Sequence, residues 1–166
     1  RSSDLVADVS IALARTGFRA YPSKMDWHPL IVHYPIALLP LSPLCDLVAL
    51  WSRRGEGHLL AYGLMVLGTL ASCVAVLSGN AAAEGHWQGA AAGEISAHED
   101  LATWTMLLAL GTTLGRLPLQ LKGAMDGKAL YACIGMGILI GVLVALTGYR
   151  GGELVYVHGI GVVTGG

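Results

Sequence analysis

The residues of this chain best suited to chemistry are its six histidines, His28, His33, His58, His86, His98 and His158, set among few other ionisable side chains. Imidazole is the commonest metal ligand, and in an apolar segment it costs free energy unless it is paired, hydrated or metal-bound. Two neutral imidazoles facing each other from separate helices are the axial ligand set of a b-type haem, if small residues leave room for the macrocycle. The three cysteines, Cys45, Cys73 and Cys133, lie singly in apolar runs and read as small buried hydrophobes. Without a C-x-x-C or C-x-x-C-H pattern, covalent c-type haem and a cysteine zinc site within the chain are excluded.

Which histidines can meet depends on the helices that carry them. Over 166 residues, 54% are hydrophobic and 13% charged, against roughly 25% charged in a soluble domain. The composition is that of a membrane protein. A net charge of −1 supplies no basic field for a polynucleotide, so nucleic-acid binding drops out. Four runs, Pro29–Trp51, Leu59–Ser78, Ala97–Leu117 and Ala129–Thr147, can each cross about 30 Å of hydrocarbon at about 1.5 Å per residue. The expected fold is all-α, a four-transmembrane-helix bundle over residues 27–163 with a short extended C-terminal segment. Residues 1–26 form an interfacial or linker segment, since Asp4–Phe18 has apolar residues at near-helical spacing. Residue 1 is Arg, which fits a signal peptide, a fused domain or a further stretch upstream.

Local punctuation sets the expected helix ends. Pro29 suits a first turn, Ser78-Gly79 closes the second span, and Ser96 with Glu99 forms a capping box for the third. Arg116 and Pro118 stop the third span, Asp126 caps the fourth and Gly148 ends it. Leu154–Val157 then reads as a short extended or re-entrant segment returning His158 toward the other histidines. Three small-residue rows, Ala71/Ala75/Gly79, Gly111/Gly115 and Gly137/Gly141/Ala145, permit close helix approach in lipid. Pro35, Pro40 and Pro43 predict a bent first helix bordering a pocket.

Charge orients the bundle. Arg53 and Arg54 follow the first span, and Arg116, Lys122 and Lys128 follow the third, whereas Gly79–Asp100 has no Lys or Arg and holds Glu84, Glu94, Glu99 and Asp100. The positive-inside rule places the basic loops in the cytoplasm and both termini outside. Arg1, Arg15, Arg19 and Lys24 oppose this unless their segment lies along the interface. In that topology His28, His33, His86, His98 and His158 gather at the outer surface and His58 alone at the inner one. His33 and His98, at similar depth, are the expected haem ligands. His28 and His158 either ligate a second metal or haem, orient the first pair, or meet the propionates. On one helix His28 and His33 project from different faces and do not share one ion, unless the helix begins after His28. His86 and His58 read first as interfacial anchors, with His86 a weaker metal candidate. Asp46, the one acid deep in a span, is expected to pair with Arg53, Arg54 or Arg116, with proton transfer or a quinone site as the lesser reading. The acidic and histidine cluster around Glu84–Asp100 either chelates a divalent ion or is solvated. Trp27, Trp51, Trp87 and Trp104 read as interfacial anchors.

Two long motifs, His28-Pro29-Leu30-Ile31-Val32-His33-Tyr34-Pro35-Ile36-Ala37-Leu38 and Gly151-Gly152-Glu153-Leu154-Val155-Tyr156-Val157-His158-Gly159-Ile160-Gly161-Val162, resemble a bacterial family of predicted membrane proteins, domain of unknown function 2231. The resemblance covers roughly Trp27 to Val163. It implies a four-helix domain of the bacterial inner membrane in redox company, with Rieske or cytochrome c partners. His28, His33, His98 and His158 match its pattern. Gly79–Ile95 is an elaboration on it.

Three readings follow. The first is a haem b-binding electron-transfer membrane subunit without catalytic activity of its own, partnered by lipid, other membrane subunits and a cytochrome c, a Rieske protein or quinone. The alternatives are a cofactor-free structural subunit of a respiratory or photosynthetic complex, and an outer-face metal-binding or transport protein.

Overall fold

A computed structural model describes residues 27–83 and 90–162. The expected interfacial segment 1–26 lies outside the described residues, as do Glu84, His86 and Trp87. The chain forms a one-turn helix α1 (His28–Ile31) and four long helices, α2 (His33–Ser52), α3 (Glu56–Ala83), α4 (Ala92–Leu121) and α5 (Gly127–Tyr156). Among the described residues there is no strand.

The long helices pack in a closed ring, α2 on α3, α3 on α4, α4 on α5 and α5 on α2, with α1 laid against α3. At the centre Leu39, Met65, Ala109, Ile140 and Val144, drawn from all four helices, form the core. A smaller cluster, Ala91, Ile95 and Leu154, closes the end where α3 finishes and α4 begins.

The bundle is inside out by the standard of a soluble protein. Leu44, Val48, Leu59, Leu67, Leu70, Leu77, Leu107, Leu114, Ile138, Leu139, Val142 and Leu146 all face outward. Such an unbroken apolar exterior suits lipid and not water. Exposed aromatics mark its height: Tyr34 and Trp51 lie about 26 Å apart along α2, and Tyr131 and Tyr149 about 27 Å apart along α5. That spacing is close to the hydrocarbon thickness of about 30 Å, with the rings at the two interfaces. Three stretches, 28–52, 56–83 and 127–156, are long and apolar enough to cross a membrane. α4 is as long as α5, but it carries Glu94, His98, Glu99 and Asp100 in its first third and buries Arg116. The expected count of four apolar spans is met by three.

Several expected ends shift, because packing extends helices past weak local stops. α3 continues through Ser78-Gly79 to Ala83. α4 starts at Ala92, so Ser96 and Glu99 lie inside the helix, and Ala91 is the N-cap with no side-chain hydrogen bond. Pro118 lies within α4, which runs to Leu121. Asp126 is the N-cap of α5 in extended conformation, without a side-chain cap bond. α5 passes Gly148 and the Gly151-Gly152 pair and ends at Tyr156, so Leu154–Tyr156 is helical and not extended, with Val157 as the C-cap. In lipid a broken helix would leave backbone groups unsatisfied, which outweighs glycine's entropic preference for a turn.

The small-residue rows divide into two kinds. Gly137 and Gly141 of α5 receive Pro43 and Pro40 of α2, a Cβ at Gly137 falling 3.0 Å from Pro43 Cβ. The prolines thus form a helix contact, whereas the cavities described lie between α4 and α5 and not beside α2. Gly111 and Gly115 meet nothing within 4 Å. Their row stays open.

Candidate functional site

One candidate site is a pair of histidines at the end where α1 begins. α1 turns His28 inward onto α3, where its Nδ1 lies 3.1 Å from the Ser78 hydroxyl and its ring packs on Gly79. A Cβ at Gly79 would fall 2.9 Å from the His28 ring, so glycine there makes the room. Across the bundle, α4 presents His98 to α5, with its ring against Gly151 and near the Thr147 carbonyl. The two imidazoles lie within electrostatic range of each other. Nδ1 of His98 is buried and has no hydrogen-bond partner among the described residues.

The other histidines expected at this end do not join them. His33 is exposed, because five residues along a helix turn a side chain well away from the face His28 occupies. His158 is exposed just beyond α5 and lines a shallow cleft of about 340 Å³ with Glu94, Tyr149, Arg150 and Glu153. His86 lies outside the described residues. Counting depth from Pro29 as the first residue in the membrane favours His33 over His28. The signal that could have reversed that choice was the glycine at the end of the Ala71/Ala75/Gly79 row.

At the opposite end lies a buried charge network. Asp46 and Arg116 are 0% and 1% exposed, and the guanidinium grips the carboxylate with both terminal nitrogens, at 2.6 Å and 2.8 Å. His58 Nδ1 approaches the same carboxylate at 2.8 Å. Its backbone carbonyl accepts from Arg116 and from Gln120, each at 2.9 Å. The Tyr62 ring sits 5.7 Å from the guanidinium. Of the three arginines expected for Asp46 the structure selects Arg116, which is therefore a core residue and no longer counts toward the basic loop. His58 is a member of the network and not a simple interfacial anchor. Two charges survive here because each is paired and hydrogen-bonded, as burial in a low-dielectric interior demands.

Among the described residues no group of three or more His, Cys, Asp and Glu is arranged to hold a metal ion. Cys45, Cys73 and Cys133 are unpaired and half-buried. No curated protein and no solved structure matches the chain. With an apolar exterior and helices of membrane-crossing length, the fold agrees with what a family comparison finds: the family described as predicted membrane protein (DUF2231) matches residues 25–164, and the chain belongs to it.

Proposed function

We propose that this chain is a membrane subunit whose His28 and His98 hold a b-type haem at one end of the bundle, for electron transfer within a redox complex. The observation that carries the reading is that imidazoles from two separate helices, each backed by a glycine, lie within electrostatic range of each other, with the buried Nδ1 of His98 lacking a partner among the described residues. That donor set suits a six-coordinate haem: two nitrogens from different elements, no thiolate, and Ser78 orienting one ring as outer contacts orient ligating histidines. The haem would supply one-electron chemistry, while the chain supplies ligands and a low-dielectric surround.

Exposed Arg53, Arg54, Lys122 and Lys128 lie at the other end of the bundle, so the positive-inside rule assigns that end to the cytoplasm and the histidine pair to the outer face. An extracytoplasmic cytochrome c or Rieske protein, or the quinone pool, would then be the electron partner. A second reading, a cofactor-free subunit packing against a larger complex, is favoured by the open Gly111/Gly115 row on α4.

The test is pyridine haemochrome analysis of the chain purified after haem-supplemented expression, beside His28→Ala, His98→Ala and His33→Ala. The expected result is haem in the wild type and in His33→Ala, with at least a tenfold loss in the other two. A colourless wild type hands the protein to the structural reading, and retention of haem in His98→Ala ends the ligand assignment.

A further inference from the structure

Where α4 begins and α5 ends, the cleft of about 340 Å³ is lined by Glu94 of α4, by Tyr149, Arg150 and Glu153 of α5, and by Val157 and His158 just beyond it. It holds both signs of charge. Arg150 and Glu94 meet there through one contact of 3.4 Å, with 46% and 51% of their side chains exposed. An ion pair so open to its surroundings is weak, and either partner can exchange it for a better one. A guanidinium has five N–H groups, so Arg150 can donate to a further acceptor while it keeps Glu94. The two carboxylates outnumber the one guanidinium, and the carbonyl dipoles at the end of α5, which stops at Tyr156, add to the negative potential. The cleft therefore suits a ligand that carries a cation for the carboxylates and an anion for Arg150.

Helix register sets that cleft at the height of a lipid headgroup. Val142, Leu146, Tyr149 and Glu153 follow one another at helical spacing and share one face of α5. Val142 and Leu146 are exposed on the apolar exterior, and the exposed Tyr149 ring marks the interface. Along the axis Arg150 stands about 6 Å beyond Leu146, and Glu153 about 10.5 Å beyond it. Acyl chains lying on Val142 and Leu146 thus lead to a polar head at the level of Arg150 and Glu153.

We propose that this cleft binds the phosphoethanolamine head of a membrane phospholipid, its phosphate accepting from Arg150 and its ammonium donating to Glu153 and Glu94. Charge and hydrogen bonding sort the common headgroups. A phosphatidylglycerol head is anionic and sets its phosphate among two carboxylates with no cation to offset them. A phosphatidylcholine head carries both charges, but its trimethylammonium is bulkier and has no N–H to donate. Ethanolamine offers three N–H donors beside the phosphate, which matches acceptor-only carboxylates next to a donor-only guanidinium. Neither His28 nor His98 lines the cleft, so the proposal stands apart from the haem assignment.

The test is native mass spectrometry of the full chain, delipidated in detergent and titrated with dioleoyl phosphatidylethanolamine, its N-methyl and N,N-dimethyl forms, phosphatidylcholine and phosphatidylglycerol. The expected result is tightest binding of phosphatidylethanolamine, with an apparent Kd that rises at each methylation and is at least tenfold higher for phosphatidylcholine and phosphatidylglycerol. Arg150→Gln and Glu153→Gln should each weaken phosphatidylethanolamine binding at least fivefold. Neither side chain is in the core, and an unchanged thermal midpoint verifies that each variant folds. Lys128→Gln, exposed at the opposite end, should bind as the wild type does. Equal affinity for phosphatidylethanolamine and phosphatidylcholine, tightest binding of phosphatidylglycerol, or unchanged affinity in both cleft variants would each overturn the proposal. So would an equal loss in Lys128→Gln. Soluble glycerophosphoethanolamine should not displace the lipid at equal concentration, and displacement would mean that the cleft takes a free phosphoethanolamine compound instead of a lipid.

Discussion

Asp46 shows how much one side chain can depend on another in this bundle. It accepts from Arg116 twice and lies against His58, all within a helix packing where neither charge meets solvent. Removing one partner strands the other, which typically costs about 3–5 kcal/mol, whereas replacing both by apolar residues is often neutral. Asp46→Ala should therefore lower the thermal midpoint in detergent sharply, and Asp46→Leu combined with Arg116→Met should restore most of it. A double variant as unstable as the single one would show that the pair does more than neutralise itself. Arg53 is the other residue under local tension: it is the only non-glycine with positive φ among the described residues, at φ 54°. It holds the left-handed position after α2, with Arg54 N–H bonded to the Ala49 carbonyl at 3.1 Å. Glycine is favoured there by about 1–2 kcal/mol. Arg53→Gly should raise the midpoint by a few degrees, and a fall would mean that the arginine side chain has a structural partner.

The elements owe their contacts to where side chains are missing. α2 and α3 approach so closely near their shared turn that a Cβ at Gly57 would fall 2.6 Å from Ala49 Cβ. Both atoms are fixed to backbone, so no rotamer change relieves the clash and the helices must part. Gly57→Ala should cost about 1–3 kcal/mol, typical of overpacking. Gly63→Ala on the same helix meets nothing within 4 Å and should be neutral or stabilising by up to about 1 kcal/mol. Equal midpoints for the two variants in thermal denaturation would refute the packing argument. The same logic separates the three glycine rows that look alike in sequence. Gly79 seats His28 and Gly137 seats Pro43, while Gly111 and Gly115 remain open for something outside this helix ring.

At the scale of the whole molecule, the apolar exterior and the two aromatic levels define a slab that α3, between Gly55 and Gly93, is long and apolar enough to cross. Both glycines are exposed with open surroundings. In a background with Cys45, Cys73 and Cys133 replaced by Ser, Gly55→Cys should react with a membrane-impermeant maleimide only from the cytoplasmic face and Gly93→Cys only from the outer face. Labelling of both from one side would remove α3 from the membrane. Reversed sides would keep the span and place the histidine pair inside.

Membrane residence, an all-helical fold and the approximate spans are written locally, because hydrophobic run length must match a slab of nearly constant thickness. The candidacy of the histidines and of Asp46 was legible for a related reason, since an ionisable group in such a run needs a partner. Which partner it finds depends on helix phase and neighbour, and these are settled only when four helices close into a ring. That closure turned His28 inward and His33 outward, chose Arg116 from three arginines, carried α5 through its glycines, and left one guanidinium nitrogen facing no acceptor. Residue identities were set by composition and spacing, but encounters between distant residues arise from packing, whose energies are summed over the whole bundle and cannot be read from any one segment.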